Sequence, residues 1–189
     1  MINKRYSDIR DNIQPGDLIA FGGMGWASKI IKWKTGSNVS HVGVASHMND
    51  KHGRMMIMES TSLDGKKGVQ MNRLSKRVEQ YNGHVWWFPL SEEARKKLSL
   101  VAFWKFLWAQ DGKKYDYLQA PMSATLFWAR EDFGKLFCSE LVAGAYEASS
   151  ILPNINASEV TPDDLARMRI YKQEYYQIKA HKNKCKLAI

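Results

Sequence analysis

Apolar and polar positions divide the chain into a strand-rich first half and a helix-rich second half. "DNIQPGDLIAFGG" turns at Pro15-Gly16 and then runs apolar, which predicts a short strand over 17–21. Glycines bracket "GGMGWASKIIKWKTGS", where Trp26, Ile30 and Trp33 recur on one helical face. In "SHVGVASHMNDKHGRMMIMES" two apolar runs flank the polar "SHMNDKHG", the pattern of a hairpin with a long loop. "KKGVQMNRLS" predicts a strand ending in a turn. "NGHVWWFPLS" predicts another, closed by Pro89.

From there the period changes. "SEEARKKLSLVAFWKFLWAQDG" predicts one strong helix, with Ser91 as N-cap, two glutamates in the first turn and Gly112 at its end. Trp104 and Trp108 are four apart, and Leu100 and Val101 lie one turn before them, a stripe expected to face the core. Pro121 blocks a helix through "KKYDYLQAPMSATLFWARED", so a break and then a short aromatic helix are expected. "CSELVAGAYEASSIL" predicts a helix with Cys138 at its start. "TPDDLA" predicts one capped by Thr161, with Pro162 in its first position. Strands followed by helices, without strict alternation, imply an α+β fold with an antiparallel sheet packed against helices. The 189 residues suit a single domain over 1–170 followed by a basic tail over 171–189.

Composition narrows the class. Hydrophobic residues make up 44% and charged residues 25%, with seven Trp, eight Tyr and seven Phe, which excludes a disordered chain. A net charge of +9 draws the protein to polyanions, and "KAHKNKCK" near the C-terminus would suit an anionic surface. No helix-turn-helix, zinc-finger or RNA-binding signature accompanies the charge, so specific nucleic acid recognition is not expected. Two cysteines give no disulfide framework. The first residues lack the apolar core of a secretory signal, and no apolar run is long enough to span a bilayer. These features point to a cytoplasmic protein, or to one of phage or lysis-released origin. His47 and His52 read as surface residues. They offer too few ligands for a metal, and no cofactor is implied.

The chemistry rests on three residues. Pairing the hairpin strands as His41–Ala45 against Met55–Glu59 sets His41 opposite Glu59, on one face of the sheet. A carboxylate there would orient the imidazole and stabilise its protonated form. Cys138, at a helix start, would gain from the unpaired N–H groups and the dipole of that helix. Its own N–H would be a donor to an oxyanion. Taken singly, Cys138 reads as core packing, His41 as a surface residue and Glu59 as the polar end of a strand. Taken together they are the parts of an activated thiolate.

"PGDLIAF", "SHVGV", an acid after the next strand, "KKYDY", "FCSELVAGAYE" and "TPDDLA", in that order, resemble the permuted NlpC-type papain-like superfamily. The YiiX-like branch is the nearest part of it, and lecithin:retinol acyltransferase is a more distant relative. The resemblance covers about residues 14–165 and implies a circularly permuted papain-like fold. It implies Cys138 as nucleophile, His41 as general base and Glu59 as the polar third member. Tyr115 of "KKYDY" would line the substrate pocket. Asp17 of the "GD" opening is a weaker substrate-side candidate, read chiefly as structural. The implied activity is acyl transfer through a thioester on a peptide amide, as in a peptidase or amidase. An acyl-lipid substrate, with hydrolysis or transfer, is the alternative. A binding module with an inactive site, and a polyanion-binding protein with Cys138 merely buried, are the readings from other classes.

Overall fold

The computed structural model describes residues 1–25, 28, 29, 33, 36–47, 54–113 and 133–181. Seven strands form one sheet: β1 (Ile2–Asn3), β2 (Leu18–Gly23), β3 (His41–His47), β4 (Met55–Leu63), β5 (Lys66–Arg73), β6 (Gly83–Phe88) and β7 (Tyr176–Lys179). Their order is β1-β7-β6-β2-β3-β4-β5. All neighbours are antiparallel except β1 and β7. Among the described residues six α-helices accompany them: α1 (Tyr6–Ile9), α2 (Leu74–Gln80), α3 (Glu92–Lys97), α4 (Leu100–Gln110), α5 (Phe133–Ala148) and α6 (Pro162–Ala166). The fold is α+β.

Both faces of the sheet are covered, which is why its central strands read as unbroken apolar runs. Leu18 and Ala20 of β2 join Val42, Val44, Met58, Trp86 and Phe88 in a core shared with Phe103 and Leu107 of α4 and Leu141, Val142 and Tyr146 of α5. Ile19 and Phe21, pointing the other way, join Ala45, Ile57, Val85 and Trp87 in a second core. Ile9 of α1 and Leu74 and Val78 of α2 close that core. Successive strand residues alternate between faces, so each run feeds two cores at once.

Several expectations change. The strand at "KKGVQMNRLS" does not end in a turn but passes directly into α2. The long helix from Ser91 to Gly112 is two helices. Ser91 caps α3 by accepting from the Ala94 N–H, and Ser99 caps α4 by accepting from the Ala102 N–H, so the chain restarts at a second cap. The stripe on α4 is core only in part: Trp104 is half-buried and packed against the first core, but Val101 is 81% exposed, Trp108 53% and Leu100 47%. Residues 171–179 are not a tail. Tyr171 is buried and bridges to Leu90, and β7 is hydrogen-bonded between β1 and β6. The helical pattern at Trp26 and Ile30, the break at Pro121 with the aromatic helix after it, His52 and the basic residues 182–189 lie outside the described residues. No helix among the described residues is long and apolar enough to cross a membrane.

Candidate active site

Cys138, His41 and Glu59 come together at one end of the sheet. His41 is the first residue of β3 and pairs with Phe21 of β2. Glu59 lies in β4, opposite Gly43 of β3 and Gln70 of β5. The hairpin is therefore offset by two residues from the expected register. An offset of two leaves both side chains on the same face, so His41 meets Glu59 diagonally. His41 Nε2 and Glu59 Oε2 are 2.8 Å apart. Gly43, between them, has no room for a side chain. A Cβ there would come within 2.7 Å of Ile57 Cδ1 and 3.0 Å of Glu59 Cβ.

Cys138 approaches from α5, the helix that packs on β3 and β4. It is fully buried and interacts with His41 through a side-chain hydrogen bond and through charge. With Nε2 engaged by Glu59, Nδ1 is the ring nitrogen left for the sulfur. Burial alone would lower the His41 pKa. Cys138 and then Glu59 outweigh it and raise it to about 9. The imidazolium is thus the favoured form at neutral pH.

The position of Cys138 in its helix differs from expectation. α5 begins at Phe133, so Cys138 stands in the second turn. There its N–H is directed to the carbonyl four residues earlier and is not available to an oxyanion. The helix dipole acts chiefly within the first turn. The terminus of α5 is therefore not the source of positive field at Cys138 that the sequence predicts.

Two residues that the sequence reading did not single out complete the site. Arg77 of α2 grips Glu59 with two nitrogens, Nε to Oε1 and Nη2 to Oε2, the latter at 2.9 Å. Asn72 Nδ2 donates to Glu59 Oε1 at 3.0 Å. Glu59 is fully buried, and burial would raise its pKa. The His41 hydrogen bond and the Arg77 charge reverse this and hold it at about 2. The Arg77 guanidinium in turn lies over the rings of Phe21 and Tyr81, 5.1 Å and 5.4 Å from their centroids. Cys138, His41, Glu59 and Arg77 thus form a buried chain of contacts running from α5 through β3 and β4 to α2.

The helix α5 is tied down close to Cys138. Ser139 Oγ donates to the Val160 carbonyl at 2.5 Å. Ser37, four residues before His41, donates to Asp163 of α6, and Arg167 Nε bonds the other oxygen of that carboxylate at 2.7 Å. A capping box between Thr161 and Asp164 starts α6 at the place expected from "TPDD".

Asp17 lies elsewhere. It precedes β2 at the end of that strand away from the Phe21–His41 pair, roughly 13 Å from it along the strand. Its buried carboxylate accepts from Gln14 N, Trp87 Nε1 and Leu90 N, each at 2.9 Å, and from Arg95. Every lone-pair direction is taken, so Asp17 fastens the fold and faces no substrate. Tyr115 lies outside the described residues. Among the described residues no group of three or more His, Cys, Asp or Glu could hold a metal ion.

No protein-family model matches the chain. No curated protein matches it either. Among solved structures it is similar to the metalloprotein yiiX of Escherichia coli O157:H7, at 22% identity and a TM-score of 0.49, over 72% of this chain and 66% of that one.

Proposed function

We propose that this protein is a cysteine-dependent acyl hydrolase of the permuted papain-like kind, with Cys138 as nucleophile, His41 as base and Glu59 orienting the imidazole. One observation carries the reading: a single ring, His41, is bonded at 2.8 Å to a buried carboxylate and also hydrogen-bonded to the Cys138 thiol. The order of sequence motifs around these residues, with the His before the Cys, supports it.

The chemistry follows from that arrangement. His41 already carries the proton as imidazolium, and the ionised sulfur of the pair attacks a substrate carbonyl carbon. As the tetrahedral intermediate collapses, the imidazolium gives the proton to the leaving nitrogen or oxygen, and a thioester remains on Cys138. His41 then removes a proton from water, the hydroxide attacks the thioester, and the acid product leaves as the sulfur is regenerated. Glu59, held ionised by Arg77, stabilises the charged ring throughout. A peptide or other amide is the first substrate class; an acyl lipid is the second, and would use the same steps.

A second reading has one observation in its favour. Cys138 is fully buried among Val42, Val44, Met58 and Val142 of the first core. In that reading the thiol–imidazole contact is a packing contact of a binding module. Alkylation of Cys138 by iodoacetamide across pH, read by peptide mass spectrometry, separates the two. An enzyme gives an alkylation pKa below the free-thiol value of about 8.5, returned towards it by His41→Ala. A thiol that stays inert while the protein is folded sinks the enzyme reading.

A further inference from the structure

The helix α4 presents more apolar surface than its neighbour covers. Its sequence, LVAFWKFLWAQ, has a single charge. At about 100° per residue, Phe103, Phe106 and Leu107 point to one side. There Phe103 and Leu107 are buried, and the Phe106 ring lies where a Cβ on Gly144 of α5 would fall. Leu100, Val101, Trp104 and Trp108 occupy the adjoining arc of about 100°. Leu100, Val101 and Trp108 of that arc are exposed, Trp104 is half-buried against the first core, and the two indole rings stack with centroids 6.4 Å apart. An exposed cluster of this kind marks a contact surface.

Charge selects the occupant. Lys105 projects beside the arc, and Lys96, Lys97 and Lys113 are exposed in the same stretch of chain, before and after it. Of the nearby acids, Glu92 and Glu93 are engaged by Lys172 at 2.9 Å and Lys97 at 2.7 Å, and Asp111, three residues after Trp108, is exposed. The whole chain carries +9. Two such copies repel one another, and four side chains fall well short of the roughly 800 Å² per partner that a stable interface needs. Indole rings with Lys105 beside them and further lysines in the flanking chain instead suit the boundary between lipid headgroups and acyl chains, where the rings enter and the ammonium groups stay with the phosphates.

We propose that the Leu100–Val101–Trp104–Trp108 face of α4 docks on anionic lipid bilayers, as a peripheral contact that lies in the headgroup plane. The contact uses none of Cys138, His41 or Glu59, so it stands or falls separately from the proposed hydrolase.

The test is flotation of the full chain with vesicles of phosphatidylcholine alone and with phosphatidylglycerol added. The wild-type protein and Cys138→Ala should float with the anionic vesicles to the same extent, and less with phosphatidylcholine. Val101→Glu and Trp108→Glu, both at solvent-exposed positions, should fold normally by circular dichroism and lose binding at least tenfold. Equal binding by wild type and both variants overturns the proposal, and assigns any binding to scattered cations or to the basic C-terminal residues. A wild-type dimer that Val101→Glu converts to a monomer, with no flotation by either, overturns it in favour of a second copy.

Discussion

His41 Nε2 and Glu59 Oε2 lie 2.8 Å apart, yet the residue directly across from Glu59 in β3 is Gly43. The hydrogen bond is diagonal and crosses a position without a side chain. Gly43→Ala would drive a Cβ to 2.8 Å from Ile57 Cγ1 and 2.7 Å from its Cδ1. The expected cost is about 1–3 kcal/mol in urea unfolding, the range for overpacking a tight core. Ile57→Val removes the Cδ1 contact, so Gly43→Ala should cost less in that background than alone.

Arg77 holds Glu59, and Glu59 holds His41. Arg77→Met leaves a buried carboxylate with fewer partners and should lose about 3–5 kcal/mol of stability. Arg77→Lys keeps a charge but loses the two-pronged grip, and should cost less. In both variants the alkylation pKa of Cys138 should move towards the free-thiol value, a shift that a merely structural arginine would not produce. An unchanged alkylation profile in folded Arg77→Lys would remove Arg77 from the site.

The two titrating partners set a pH window. The His41 pKa is raised from 6.5 to about 9, so its contribution to stability is complete below 6.5 and is lost as pH rises through about 9. The Glu59 pKa is lowered from 4.5 to about 2, so its contribution is complete above 4.5 and is lost as pH falls towards 2. Between these limits their joint contribution is greatest. Unfolding free energy measured from pH 3 to pH 10 should fall on both sides of the interval from 4.5 to 6.5. Glu59→Gln should flatten the acid side and pull the ring's pKa down, which histidine NMR reads directly.

Asp17→Asn tests the reading of that residue as a fastener. The amide cannot accept four donors, and Arg95 loses its counter-charge. Stability should fall by about 2–4 kcal/mol, while the alkylation pKa of Cys138 stays where it was. A shifted pKa with stability intact would instead connect Asp17 to the site.

How much of this was legible in the sequence depended on how local the signal was. The strands β2, β3, β4 and β6 show as apolar runs because both sheet faces are buried. Cys138, His41 and Glu59 show through motif order. Their register could not be fixed, because offsets of zero and two put the same side chains on the same face. Arg77 was hidden for two reasons. Its helix α2 has no side-chain cap and no acid in its first turn, and "RLSKR" offers three cations of which only packing selects one. The second cap at Ser99 was a readable signal inside "KKLSLVAF". The open face of α4 was not, since a helix apolar over a wide arc does not say which part a neighbour covers. β7 was masked by the cations around it and by Gln177, a polar residue that is buried beside Ile178 and hydrogen-bonded to His84.

The chain of contacts that leads from Arg77 to Cys138 alternates in sign as far as His41: guanidinium, carboxylate, imidazolium. It is buried along its whole length, with Arg77, Glu59, His41 and Cys138 all shielded from solvent. Mobile ions screen exposed charges over about 10 Å at 0.1 M salt but reach buried pairs far less. Added salt should therefore weaken any attraction exerted by the lysine-rich exterior while leaving the reactivity of the sulfur nearly constant. Ionic strength thus becomes a dial that separates what the surface of this protein does from what its interior does.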